Sequence, residues 1–317
     1  MQPLDRIDYT GDIKTLLQKV CGSFDIGLLQ KYSLIETGYE DCNIILETKE
    51  GKFLCKIFSK KRTPADVQRY SEIMKKVVEA GVRHPELQKT ENHQVLFSHK
   101  APALVLMRFI EGETFLELDR PPNNSERKDV LQQAAIINAI DFTPPYLFDS
   151  WAIPHIHTMF DKVKKYIQPA DRLLVKQAMD RYDAIPVASL PKCFVHGDFT
   201  KANILKGNDG KIYILDFSVA NRYPRIQELA VIAANLMFEK GKDGSLPSTC
   251  TSLATEYNSF LPLTKDEIEH LYPYALAGVA MEFMGAHQEK FINGNDTEET
   301  NYWMHLGRSG LKQALGK

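Results

Sequence analysis

Between residues 31 and 60 the chain carries three β-type apolar runs, at 32–36, 43–47 and 53–58, and a glycine-containing polar turn from Thr37 to Cys42 links the first two. A helical pattern follows over 65–80, opened by Thr63 as cap with Pro64 in the first helical position and closed by Gly81. The run 103–110 is a further apolar strand. Helical spacing then dominates, at 121–142 and 155–184 with Pro144 and Pro145 between them, and again in a helix pair in the last third, where Thr264 and Glu267 form a capping box. One interruption breaks this helical half. Two short apolar runs, 204–205 and 212–215, flank the turn Lys206 to Lys211, which contains Gly207 and Gly210, and so predict a β-hairpin.

Strands thus come mainly first and helices after. A length of 317 residues at 44% hydrophobic content is enough for two lobes and a large core. The net charge of −2 offers no global attraction for nucleic acid or an anionic membrane, so neither is expected as a partner. No run of about 18 apolar residues occurs, and acids stand at the N-terminus where a signal peptide needs an apolar stretch, which predicts a cytoplasmic protein. Cys21, Cys42, Cys55, Cys193 and Cys250 are scattered, without the short paired spacing of a zinc or dithiol site. The longest flexible stretch is expected at 240–248, which holds two glycines in a polar setting.

The chemistry concentrates around the predicted hairpin. The run Val195, His196, Gly197, Asp198, Phe199, Thr200, Lys201, Ala202, Asn203 is followed by Asp216 and Phe217. Asp198 can take the proton of an acceptor hydroxyl, while the amide oxygen of Asn203 and the carboxylate of Asp216 are hard oxygen donors suited to Mg²⁺. The hairpin would set Asn203 and Asp216 side by side. His196 is expected to brace the loop by hydrogen bonding.

This pattern resembles the aminoglycoside phosphotransferase and choline kinase group, a phosphotransferase family that includes type II homoserine kinases. The resemblance implies an α+β, protein-kinase-like bilobal fold, with a small β-rich, nucleotide-binding N-lobe at 1–107 and a larger, mainly helical, catalytic and acceptor-binding C-lobe at 108–317. It implies an ATP-dependent transfer of the γ-phosphate to a hydroxyl of a small molecule, with Asp198 catalytic, Asn203 and Asp216 on the metal, and ATP and Mg²⁺ as cofactors. On the nucleotide side it assigns Lys56 to the phosphates, the turn around Gly38 to a cover over them, and the backbone of Met107, Phe109 and Ile110 to the adenine edge. Glu72, on the predicted helix, is the expected ion-pair partner of Lys56, although the slot that relatives give to that acid holds Tyr70. Glu228 matches a position that is usually Asp and steadies the catalytic loop.

Two features separate the kinds of kinase. A helical pattern resumes at about Ile226, which leaves no room after Asp216 for the activation segment of a protein kinase, and Gly197 replaces the arginine that would gather its phosphate. A small acceptor follows. Candidates to meet a cationic acceptor are Glu111, Asp149, Glu282 and Glu289, with Trp151, Tyr302 and Trp303 as aromatic partners; an aminoglycoside, an amino-alcohol or amino acid such as homoserine, and a sugar stay open. The alternative is a nucleotide-binding pseudokinase or scaffold, against which the intact Asp198, Asn203 and Asp216 argue. A P-loop kinase is excluded by the lack of its glycine and lysine run.

Overall fold

The computed structural model describes residues 3–7, 9–90, 92, 94, 96–98, 103–239 and 245–316. Most of the expected flexible stretch, residues 240–244, lies outside the described residues. The chain divides into two compact units, one of residues 1–75 with 84–111, the other of 76–83 with 112–317. Compared with the sequence-based division after residue 107, the change falls at Glu111, and a short segment ahead of it belongs to the larger unit.

In the smaller unit, helix α1 (Ile13–Ser23) precedes strands β1 (Lys31–Ile35), β2 (Cys42–Thr48) and β3 (Gly51–Ile57), then helix α2 (Pro64–Glu79), counted here up to Lys75, and strands β4 (Leu96–Ser98) and β5 (Ala103–Arg108). The five strands form one antiparallel sheet in the order β1-β2-β3-β5-β4. Alternation sets its faces. Cys42, Ile44, Leu46, Phe53, Cys55, Ile57, Leu104 and Leu106 bury one face against Leu16, Leu17, Val20 and Cys21 of α1. Lys56, between Cys55 and Ile57, therefore belongs to the opposite face. Helix α2 starts as expected, with Thr63 and Asp66 exchanging backbone-to-side-chain hydrogen bonds, and ends at Gly81, which has a φ of 75°.

The larger unit holds β6 (Gly112–Thr114), α3 (Asn124–Asn138), α4 (Ile156–Val163), α5 (Pro169–Asp183), β7 (Lys192–Val195), β8 (Ile204–Gly207), β9 (Ile212–Ile214), β10 (Asn221–Pro224), α6 (Ile226–Val231), α7 (Leu246–Tyr257), α8 (Lys265–Phe291) and α9 (Glu298–Ala314). The helical stretch expected over 155–184 is two helices, because Pro169 starts a new first turn. Helix α8 is the axis, packed by α4, α5, α6, α7 and α9. Its Thr264 and Glu267 form the capping box, and Glu267 is also held bidentately by Arg225. Among the described residues, no helix is long and apolar enough to cross a membrane. All five cysteines are free.

Candidate active site

The hairpin of β8 and β9 forms with Ile204 opposite Ile214, and Gly210 takes a φ of 80° in its turn. The Leu215 N–H donates to Asn203 O at 2.9 Å, so the pairing continues one step and delivers Asn203 and Asp216 to neighbouring positions. Asp216 then leaves the strand at a φ of 54°, a left-handed conformation that is costly for a residue with a Cβ. The Ser218 N–H and hydroxyl bind its Oδ1 at 3.1 and 2.5 Å, which fixes the carboxylate.

Asn203 donates its amide nitrogen twice to Asp198, to the backbone oxygen at 3.1 Å and to Oδ2 at 2.6 Å. With the nitrogen so engaged, the amide oxygen faces the other way. Asp198 itself is partly buried, and burial first, then the like charges of Asp149 and Asp216, raise its pKa to about 7. A carboxyl group that ionises near neutrality is well matched to proton transfer.

Three buried side chains hold this loop from behind. His196 receives the Asp198 N–H at Nδ1, 3.1 Å, and its Nε2 lies 2.8 Å from Leu215 O, so the neutral ring with its proton on Nε2 ties the loop to the end of β9. Burial lowers its pKa to about 4, and Phe199 and Phe217 pack edge-on around it. The Glu228 carboxylate takes the N–H groups of His196 and Gly197 at 2.8 and 2.9 Å. Asn138 bridges Glu228 at 3.5 Å to the carbonyl of Phe194, and the Tyr257 hydroxyl donates to Asn138. Glu228 is thus a buried clamp on the loop that carries Asp198.

Asn235 carries no local signal in the sequence, and it leads to the acceptor candidate Glu282. After α6 the helix widens into one π turn at Ile232–Leu236. That turn aims Asn235, which accepts the Lys201 N–H at 2.8 Å and donates to Glu282 Oε1. Such π turns recur at functional sites, because one extra residue re-aims a side chain. Glu282 is 9% exposed, and its Oε2 is buried with no hydrogen-bond partner among the described residues. Burial foremost raises its pKa to about 8, Asp198 adding to the rise while Asn235 and Lys201 oppose it.

The other acceptor candidates divide. Asp149 caps its own turn through the Trp151 N–H at 2.9 Å and is near enough to Asp198 to raise its pKa. Trp151 lies on Gly285, where a Cβ would fall 2.3 Å from the ring. Glu289 is taken up by Asn293 and Asn295, and Trp303 is buried, with its indole N–H on Glu299. Glu111 belongs to the smaller unit and pairs with Lys52 at 2.8 Å.

Within that smaller unit, Lys56 is 3% exposed and its Nζ stands 2.9 Å from Asp41. The expected pairing with Glu72 is corrected, since Glu72 is exposed and accepts from Gln68. The reason is helical phase: Val67, Tyr70, Ile73, Met74 and Val77 form the buried stripe of α2, and position 72 falls outside it. Gly38 has a φ of 89° in the turn between β1 and β2. Of the linker residues, Met107 is paired with Leu54, and the N–H groups of Arg108 and Phe109 already bond Glu86 O and Lys52 O. Ile110 follows the end of β5.

A family model described as the phosphotransferase enzyme family matches residues 31–248. The homoserine kinase of Phenylobacterium zucineum (strain HLK1) is 24% identical over 281 residues, which cover 87% of this chain and 84% of that protein. Among solved structures, a microcompartment-associated aminopropanol kinase matches with a TM-score of 0.67 at 13% identity, covering 96% of this chain and 97% of that one. The amicoumacin kinase hAmiN, in complex with AMP-PNP, Ca²⁺ and Ami, matches with a TM-score of 0.66 at 12% identity, over 95% and 93% of the two chains.

Proposed function

The chain belongs to the phosphotransferase enzyme family, with the protein-kinase-like fold of its structural neighbours, and from that premise we propose that its acceptor is a small alcohol that also carries an amine. It is an ATP-dependent small-molecule phosphotransferase. In this reading Asp198 orients the acceptor hydroxyl and takes its proton as the γ-phosphate is transferred. Lys56 bears on the phosphates, the turn around Gly38 covers them, and the adenine edge meets the backbone at Phe109 and Ile110.

Asn203 and Asp216 fit a Mg²⁺ ion. The Asn203 amide is turned with its nitrogen toward Asp198, which presents the oxygen, and Asp216 is a fixed carboxylate beside it. Two such donors, completed by phosphate oxygens and water, are the usual Mg²⁺ set, and the ion supplies charge neutralisation on the phosphates when bound.

The observation that carries the acceptor class is Glu282 Oε2, a buried oxygen without a hydrogen-bond partner among the described residues, on a group whose charge acts on that of Asp198. Even with Lys201 opposing the rise, burial leaves Glu282 mostly protonated at neutral pH, and an ammonium on the acceptor would favour its ionised form. Asp149 adds a second acid beside Asp198. Homoserine and aminopropanol, the alcohols in the names of two similar proteins, have this chemistry. An ATP-consumption screen over amino-alcohols, hydroxy amino acids, aminoglycosides and neutral sugars, with Asp198→Asn as blank, tests it. Turnover of an amine-bearing alcohol is expected; turnover of neutral sugars alone would overturn the assignment.

A further inference from the structure

We infer that Asp41, on the turn between β1 and β2, is the positioning residue for Lys56, so that this turn and the lysine form one preset assembly that does not wait on an acid from helix α2. The inference rests on the proposed phosphate-binding role of Lys56.

The register of the sheet creates the pair. Asn43 lies opposite Lys56 and Cys42 opposite Ile57, so Asp41 is the first residue beyond the ladder, diagonal to the lysine. Both side chains are withdrawn from water, at 4% exposure for Lys56 and 3% for Asp41. A buried carboxylate needs its lone pairs occupied, and among the described residues Ser59, Arg62 and Lys56 all donate to this one. Oδ1 accepts the Ser59 N–H at 2.9 Å and the Arg62 Nε at 3.0 Å; Oδ2 faces Lys56 Nζ at 2.9 Å and the second Arg62 nitrogen at 3.3 Å. Rotating Asp41 would break all of these together, so its carboxylate is a fixed reference for Lys56.

The same network fixes the turn. Arg6, buried at 6% exposure, points its guanidinium at the carbonyls of Glu36, Thr37 and Asp41, at 3.1, 3.5 and 3.3 Å. Arg62 also holds Glu40 at 2.7 Å. Lys60 N–H and the Ser59 hydroxyl return to Arg6 O, which closes a ring of contacts around the turn that carries Gly38. Lysine and turn are thereby joined through Asp41, whereas Glu72 faces solvent.

Calorimetry of MgATP, MgADP and adenosine on wild type, Asp41→Asn and Glu72→Gln tests the assignment. Asp41→Asn should weaken MgATP and MgADP at least about 10-fold and leave adenosine within about 2-fold, since only the phosphates meet Lys56. Glu72→Gln should leave all three unchanged. If Asp41→Asn does not fold, Asp41→Glu carries the comparison, with a smaller loss still confined to the phosphate-bearing ligands. Wild-type affinity for MgATP in the Asp41 variants, equal loss in Glu72→Gln, or loss of adenosine in proportion would overturn the inference. Failure of the wild type to bind MgATP would instead overturn the kinase reading on which it stands.

Discussion

Asn203 donates its side-chain nitrogen to Asp198 Oδ2 at 2.6 Å, so the carboxylate and the amide are oriented by one another. Each fixes the other's chemistry. The hydrogen bond favours the ionised form of Asp198, and the same bond turns the Asn203 oxygen outward.

The metal reading predicts that Asp216→Ala loses turnover by about 10²-fold or more while its unfolding midpoint moves by less than about 3 °C. EDTA should abolish activity in the wild type, and added Mg²⁺ should restore it. Full activity of the variant in a coupled ATP assay would remove Asp216 from the site.

Glu228 provides a stability test. Glu228→Ala strands the buried N–H of His196 and the partly buried N–H of Gly197, and should cost about 2–4 kcal/mol in urea denaturation. Glu228→Gln, which keeps one acceptor, should cost about 1–2 kcal/mol. Equal, small losses in both would show that the clamp does not hold the loop.

Asp149 should tune the acid limb of the rate profile. The Asp198 carboxyl titrates at about 7, and Asp149 contributes to that rise. Rate therefore climbs with pH through the neutral range as Asp198 ionises, and Asp149→Asn, by removing a like charge, should move the limb to lower pH. An unchanged limb would separate Asp149 from the base.

Stability of the ligand-free protein follows the same shift. Asp198 has a folded pKa above its unfolded value, so its contribution is complete below pH 4 and is lost as pH rises to about 7. Asp198→Asn should therefore melt about 2–4 °C above wild type at pH 8 and with it at pH 3.5. A variant that gains equally at both values would contradict the buried-charge account.

The catalytic hairpin was legible because its signals are local: two apolar runs, a glycine turn and the Asp198, Asn203 and Asp216 spacing all lie within a few turns of chain. The start of α2 and the capping box of α8 were legible for the same reason. What failed was distant in sequence. Lys56 finds Asp41 through sheet register, a relation that the helix pattern around Glu72 does not encode. Asn235 reaches Lys201 and Glu282 only because one helical turn widens, and no residue type announces that. Pro169 did carry a local signal, as a helix start within the stretch 155–184.

The most direct test of the central claim compares nucleotide affinity with single-turnover phosphate transfer in Asp198→Asn, using the acceptor found by the screen. If Asp198 acts on the acceptor hydroxyl, MgATP affinity stays within a few-fold of wild type while the chemical step slows by about 10²-fold or more. A variant whose affinity for MgATP falls in proportion to its rate would contradict the account and make Asp198 a nucleotide-site or structural residue.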